Sequence, residues 1–266
     1  MKRAVLALLL AFALFPFLWA VLASLRPEEE LFGGGALLPE RLTTEHYAAL
    51  FKERDFLVPI RNSLVVAGTT TLFCVIVGSL AAYALARLEM RGKSTILGLI
   101  LAVSMFPQIA IVSPLFLLLR SLGLIDTYPG LILPYLTFAM PLTVWLLVGY
   151  FRQIPPDLEE AARVDGATRW QVFTRVVLPL AVPGLAATAI LTFLYCWNEF
   201  LFALSFTLGP ERHTVPVAIA LFRGQYQVPW GQVLAAAVVA TAPVAILVLL
   251  FQKRIVQGLT AGALKG

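Results

Sequence analysis

The densest chemistry in the sequence lies in residues 154–179, where Asp157, Glu159, Glu160, Arg163, Asp165, Arg169 and Arg175 crowd together in a chain of 266 residues that is only 13% charged. Carboxylates and guanidinium groups at this density suit charge pairing with a partner or a membrane face. The remaining reactive residue types point to less. Cys74 and Cys196 have no metal-ligand spacing and read as small buried apolar residues. His46 and His213 have no partners at ligand spacing and read as surface residues. Gly92-Lys93-Ser94 looks like the end of a phosphate-binding loop, but that motif needs a glycine five residues before Gly92, where this chain has Arg87. It reads as a short basic loop. The expectation is a chain with no catalytic residue, no bound cofactor and no metal.

The elements that position the charged segment are apolar. Residues of the broad hydrophobic class make up 60% of the chain, and stretches 4–25, 62–86, 94–119, 127–151, 176–198 and 224–252 contain no Asp, Glu, Lys or Arg. Each exceeds the ~18 uncharged residues that mark a membrane-span candidate, because ~20 residues at 1.5 Å rise cross a ~30 Å hydrocarbon core. This pattern excludes disorder and an ordinary soluble enzyme. It predicts an all-α polytopic membrane protein with six transmembrane helices. A shorter uncharged stretch, 200–210, contains Gly209 and Pro210 and reads as re-entrant or interfacial. Pro107 and Pro114 interrupt the third span, Pro129, Pro134 and Pro141 the fourth, and Pro243 the sixth. Proline removes a backbone donor, which suits helices beside a pathway better than helices of a simple anchor. In the second span Gly78, Ala82 and Ala86 recur every four residues, a pattern that permits close packing and that an Ala-rich helix also produces by chance.

The charges then set topology. With Lys2 and Arg3 in the cytoplasm, the cytoplasmic segments hold twelve of the twenty Lys and Arg residues, including Arg87, Arg91, Lys93, Arg152, Arg163, Arg169, Arg175, Lys253, Arg254 and Lys265. The positive-inside rule places both termini in the cytoplasm. The first apolar run is longer than a signal-peptide core and carries Phe12, Phe15, Phe17 and Trp19, so it reads as a retained anchor. The outer segment 26–61, with Gly33-Gly34-Gly35 and local helix at about 45–51, reads as a loop rather than a domain.

Residues 154–179 read locally as two short helices joined at a glycine. Pro156 suits a first helical turn, and Asp157, Glu159 and Glu160 favour its positive end. Leu158, Ala161, Ala162 and Asp165 share one face. Gly166 supplies a left-handed residue after the helix, and Thr168 with Gln171 makes a capping-box pattern that opens the second helix. Trp170, Phe173, Thr174 and Val177 form the apolar face of that helix. The first helix is too short to stand alone, so it needs a docking surface: a partner protein, or the lipid surface.

Glu160-Ala161-Ala162, then Gly166, Val176 and Leu178-Pro179 at their spacing, resemble the EAA motif of permease subunits of binding-protein-dependent ABC importers, with Val176 where isoleucine is frequent. Met105-Phe106-Pro107, Leu142-Thr143-Val144-Trp145, Gly149-Tyr150-Phe151, Trp197-Asn198-Glu199-Phe200, Trp230-Gly231 and the tail 258–266 are similar to the carbohydrate branch, particularly its smaller, maltose-type permease. The resemblance implies the type I ABC importer permease fold over a single domain, 1–266, with spans at about 4–25, 62–86, 94–119, 127–151, 178–203 and 231–252 and a cytoplasmic coupling loop at 152–179. It implies one of two permeases, joined by two ATPase subunits that hold ATP and Mg and by an extracytoplasmic solute-binding protein. Glu160 would pair with a basic ATPase residue, Ala161 and Ala162 would admit close contact, Gly166 would make the bend, and Asp165 would belong to the same coupling set. Leu178 and Pro179 would pass movement to the spans.

The implied solute is a sugar, which is held by stacking and by hydrogen bonds to amides, hydroxyls and carboxylates. The candidates are Gln108, Tyr135, Tyr195, Trp197, Asn198 and Glu199, with Ser104, Ser113 and Thr137 nearby. Trp197 and Glu199 also suit an interfacial anchor, since a straight helix from about residue 180 would carry Glu199 about 28 Å, close to the outer interface. A non-sugar solute, a secondary transporter and a membrane-anchored scaffold are the alternatives. The EAA pattern does not identify cargo, and only the importer accounts for it.

Overall fold

The computed structural model describes residues 2–32, 39, 41–222 and 228–263, with side chains through 252 at the C-terminal end. Gly33-Gly34-Gly35 and the last three residues, Lys265 among them, lie outside the described residues. All regular structure within them is helical. Helix α1 (Lys2–Ser24) leads through the short α2 (Glu28–Phe32) and α3 (Glu45–Lys52) to the long α4 (Leu57–Arg87). Then follow α5 (Lys93–Ser104), α6 (Gln108–Ser121) and α7 (Tyr128–Gln153). The charged segment contains α8 (Asp157–Val164), α9 (Arg169–Val172), a π-helical turn (Phe173–Val177) and α10 (Leu178–Leu180). The chain ends with α11 (Val182–Trp197), α12 (Leu201–Phe206), α13 (Val215–Ala220) and α14 (Trp230–Ala263).

Among the described residues, four helices are each long and apolar enough to cross a bilayer: Arg3–Ser24, Leu57–Arg87, Tyr128–Gln153 and Trp230–Gln252. Two bent pairs bring the number to six when each pair is counted as one span. Lys93–Ser104 and Gln108–Ser121 meet at 86°, so the stretch 94–119 is a broken helix rather than one proline-interrupted rod. The cause is Pro107, at φ −65° and ψ 118°, which ends helical backbone at the residue before it. Pro114, by contrast, stays inside α6. Arg169–Leu180 and Val182–Trp197 meet at 75° across Ala181, and the stretch 178–203 is divided among α10, α11 and α12. The π-helical turn precedes Pro179 and Pro183, whose rings cannot donate to carbonyls one turn back; a widened turn relieves that conflict.

Helices α4, α7 and α11 form the centre of the bundle. Gly78 lets α7 approach α4 closely, since a Cβ there would lie 3.0 Å from Thr143 Cγ2, and Ala82 on the same stripe is fully buried. The Thr143 hydroxyl donates to Ala139 O within its own helix and bridges α7 to α11 through a 2.9 Å contact with the Thr192 hydroxyl. Two apolar clusters fill the bundle. One joins Tyr135, Phe138, Trp197, Phe202 and Phe206 with Leu50 and Phe56, and the other joins Leu147, Phe151, Val172, Phe173 and Val177 beneath the charged segment. Cys74 and Cys196 are free and buried.

At the end away from the charged segment, the loops are strapped to the helices. Glu28 accepts from the Trp230 and Gly231 amides at 2.9 and 3.1 Å, a carboxylate at the positive end of α14. His46 is buried rather than at the surface: its Nε2 lies 2.8 Å from Arg26 O and its ring sits on Gly231, where a Cβ would fall 2.2 Å from Cε1. The fully buried Asn62 donates to the Glu211 and His213 carbonyls, both at 2.9 Å, and accepts from the Tyr128 hydroxyl at 2.7 Å. His213 is half-buried, and burial pushes its imidazole below the usual range against the opposing pull of Asp126 and Glu211.

Candidate functional site

The charged segment folds as its local signals dictate. Helix α8 begins at Pro156 and Asp157, with Asp157, Glu159 and Glu160 in its first turn. It ends in a Schellman motif: Gly166 takes φ +85°, its N–H donates to Arg163 O, and the Ala167 N–H donates to Ala162 O, both at 3.0 Å. Thr168 and Gln171 then form the full capping box that opens α9.

Side-chain placement differs from the helical-face expectation. Leu158, Ala161 and Asp165 are exposed, together with Glu160 and Val164, whereas Ala162 is half-buried against the bundle. The anchor of α8 is Glu159, 1% exposed. Its Oε1 lies 2.5 Å from Arg87 Nε at the last residue of α4, and its Oε2 accepts from the Tyr83 hydroxyl at 2.9 Å. Among the described residues, neither Arg87 Nε nor Glu159 Oε1 has a hydrogen-bond partner beyond this ion contact. Arg87 also donates from a terminal nitrogen to Ile154 O. The Tyr83 ring packs on Phe173 and Phe151, with centroids at 4.8 and 6.3 Å. Phe173 and Val177 are buried, Thr174 is half-buried, and Trp170, expected on the apolar face, is 63% exposed. Leu178 is half-buried and Pro179 exposed at the 75° bend. Beside the ion pair lies a cleft of about 770 Å³ whose walls include Tyr83, Arg87, Glu159, Glu160 and Arg163.

The sequence reading missed Glu159 and Arg87. One signal was present: of two adjacent glutamates on one short helix, only one can point outward with Ala161 while the other turns toward the body.

Of the six candidates along the spans, the structure brings together Gln108 and Tyr195, whose side chains meet at 2.5 Å at the α5–α6 break. Asn198 is exposed, its amide donating to Leu194 O at 2.8 Å. The other three face inward. Tyr135 is 1% exposed, its hydroxyl toward Glu199. Trp197 is buried and stacks on Phe193, which removes it from any lipid interface. Glu199 is buried and accepts from the Phe202 and Ala203 amides at 2.8 and 3.1 Å, capping α12. The stretch 200–210 therefore holds a packed short helix, with Phe202, Ala203 and Phe206 in the core.

The described residues form a helical bundle of span-length apolar segments, with a two-helix polar loop pinned at one end and displaying one face outward. The fold is the all-α, polytopic, type I importer permease fold. The family model described as "binding-protein-dependent transport system inner membrane component" matches residues 74–261, and the chain belongs to that family. It is 47% identical over 261 residues, covering 97% of this chain and 95% of the relative, to the trehalose transport system permease protein SugB of Mycobacterium tuberculosis. It is 46% identical over 256 residues to the trehalose/maltose transport system permease protein MalG of Thermococcus litoralis, covering 95% and 92% of the two chains. Among solved structures, it is similar to a chain of a bacterial ABC transporter that imports the acidic polysaccharide alginate, with TM-score 0.78, 24% identity and coverage of 95% and 94%.

Proposed function

We propose that the chain is one of two permease subunits, a heterodimer, of an ATP-driven importer for a di- or oligosaccharide. Both termini lie in the cytoplasm, and an extracytoplasmic solute-binding protein delivers the sugar. ATP and Mg belong to two separate ATPase subunits, and the permease itself contributes no catalytic residue. The sugar assignment rests on relatives whose names specify trehalose and maltose transport.

The observation that carries the coupling role is the division of α8 into a buried and a displayed side. Glu159 holds it to the bundle, while Glu160, Ala161 and Asp165 remain exposed for an ATPase cleft. Ala162 contributes by letting α8 lie close to the body, Gly166 makes the bend, and Leu178 and Pro179 carry movement into α11. Along the pathway, Gln108, Tyr195 and Asn198 meet the solute, and Tyr135, Trp197 and Glu199 support that wall from behind.

In vesicles holding the chain with its co-expressed partners, Glu160→Lys is expected to leave membrane insertion unchanged and to cut ATP-dependent uptake at least about tenfold, the effect of ~1.4 kcal/mol or more at a desolvated contact. Normal uptake by this variant would refute the coupling role.

A further inference from the structure

The eight-residue α8 has two physical routes to the bundle. One is the chain itself, through α9, the π-helical turn and Pro179 into α11. The other is a side-chain route to α4, which the sequence does not connect to α8. It consists of Glu159, Arg87 and the Tyr83 hydroxyl.

We propose that the Glu159–Arg87 pair, with Tyr83, is a strut that makes α4 move together with α8 and α11, so that displacement of the loop reaches two spans instead of one. The inference rests on the coupling role given above for α8. Glu159 and Arg87 are positioning residues, since the exposed face belongs to Glu160 and its neighbours.

Three features support a strut rather than a surface pair. The first is burial: Glu159 is 1% exposed, and the two side chains are 2% and 13% exposed. A buried pair resists separation, because either charge left alone is strongly disfavoured. The second is bracing. Arg87 reaches Ile154 O, where α7 ends, and the Tyr83 ring sits against Phe151 of α7 and Phe173 of the π-helical turn. The joint thus touches α7 and the π-helical turn as well as α8. The third is leverage. Arg87 is the last residue of α4, and α4 carries Asn62 near its other end, where Asn62 holds the 211 and 213 carbonyls. A push at Arg87 is delivered along one continuous 31-residue helix to the opposite loops.

The test uses the whole transporter in vesicles, measuring assembly, ATP hydrolysis and solute uptake for each variant. Glu159→Gln and Arg87→Gln are expected to assemble and hydrolyse ATP, while uptake per ATP falls at least about tenfold. The exchanged pair, Arg87→Glu with Glu159→Arg, is expected to recover at least a third of that loss. A pair serving stability alone would lower the amount of assembled transporter and leave uptake per ATP unchanged, which would overturn the proposal. Should the single variants fail to assemble, Tyr83→Phe removes only the hydroxyl and is expected to lower uptake per ATP about threefold at full assembly. Unchanged coupling in Tyr83→Phe would then refute the strut. Glu160→Lys separates the two readings: if it uncouples and the strut variants do not, the strut fails alone, whereas if Glu160→Lys transports normally, the coupling role fails first.

Discussion

Gly166 gives the sharpest physical prediction, because sterics and backbone conformation separate cleanly there. Among the described residues, a Cβ at this position would meet nothing within 4 Å, so an added methyl causes no clash. The whole penalty is conformational. At φ +85° an ordinary L-residue costs ~1–2 kcal/mol, a factor of about 5–30 in the population of the turn. Asparagine tolerates this region and pays less. Proline cannot adopt it at all, since its ring fixes φ near −65°, and it also loses the N–H that donates to Arg163 O. The expected order of disruption is Gly, Asn, Ala, Pro. Hydrogen exchange of peptides covering 157–172 reads the turn directly: the Ala167 amide, bonded to Ala162 O, should exchange about 5–30 times faster in Gly166→Ala and less than about fivefold faster in Gly166→Asn. Uptake per ATP should fall in the same order, with Gly166→Pro abolishing it. Exchange in Gly166→Ala indistinguishable from the unmodified chain would show that the left-handed turn is not what holds the Ala167 amide, because no described residue offers a compensating contact there.

Two further predictions concern the opposite end. Asn62→Ala leaves the Glu211 and His213 carbonyls and the Tyr128 hydroxyl without their partner, at ~1–3 kcal/mol for each group that stays buried and unsatisfied. Faster protease cleavage within 207–214 and a lower unfolding temperature are expected; unchanged cleavage would show that the clamp is dispensable. Gly231→Ala drives a methyl into the His46 ring at a cost of ~1–3 kcal/mol. Adding His46→Ala should make the double variant more stable than Gly231→Ala alone in thermal unfolding, and strict additivity of the two losses would contradict the packing described.

The parts of the site legible in the sequence are those set by neighbours in the chain. Pro156, the acidic first turn, Gly166 and the Thr168–Gln171 pair specify α8, the bend and α9 through contacts within a few residues, and all appear in the structure. The Glu159 anchor was not legible, since its partners Arg87 and Tyr83 lie on another helix and Arg87 had a sufficient explanation in membrane topology. The prolines announced interruptions but not angles: Pro107 produces an 86° break while Pro114 and Pro141 remain within helices, because neighbours decide whether a freed carbonyl is satisfied. Glu199 shows the cost of assuming a straight helix. Helix α11 ends at Trp197, and Glu199, two residues beyond it, is buried and caps α12 instead of continuing the rod.

On the proposed mechanism, this chain moves a sugar only when ATPase subunits act on its loop. Uptake of radiolabelled trehalose or maltose into vesicles, with ATP enclosed and the solute-binding protein outside, tests it most directly. Uptake that requires ATP, the ATPase subunits and the binding protein together is the predicted result. Uptake by this chain alone, driven by an ion gradient and indifferent to ATP, would contradict it.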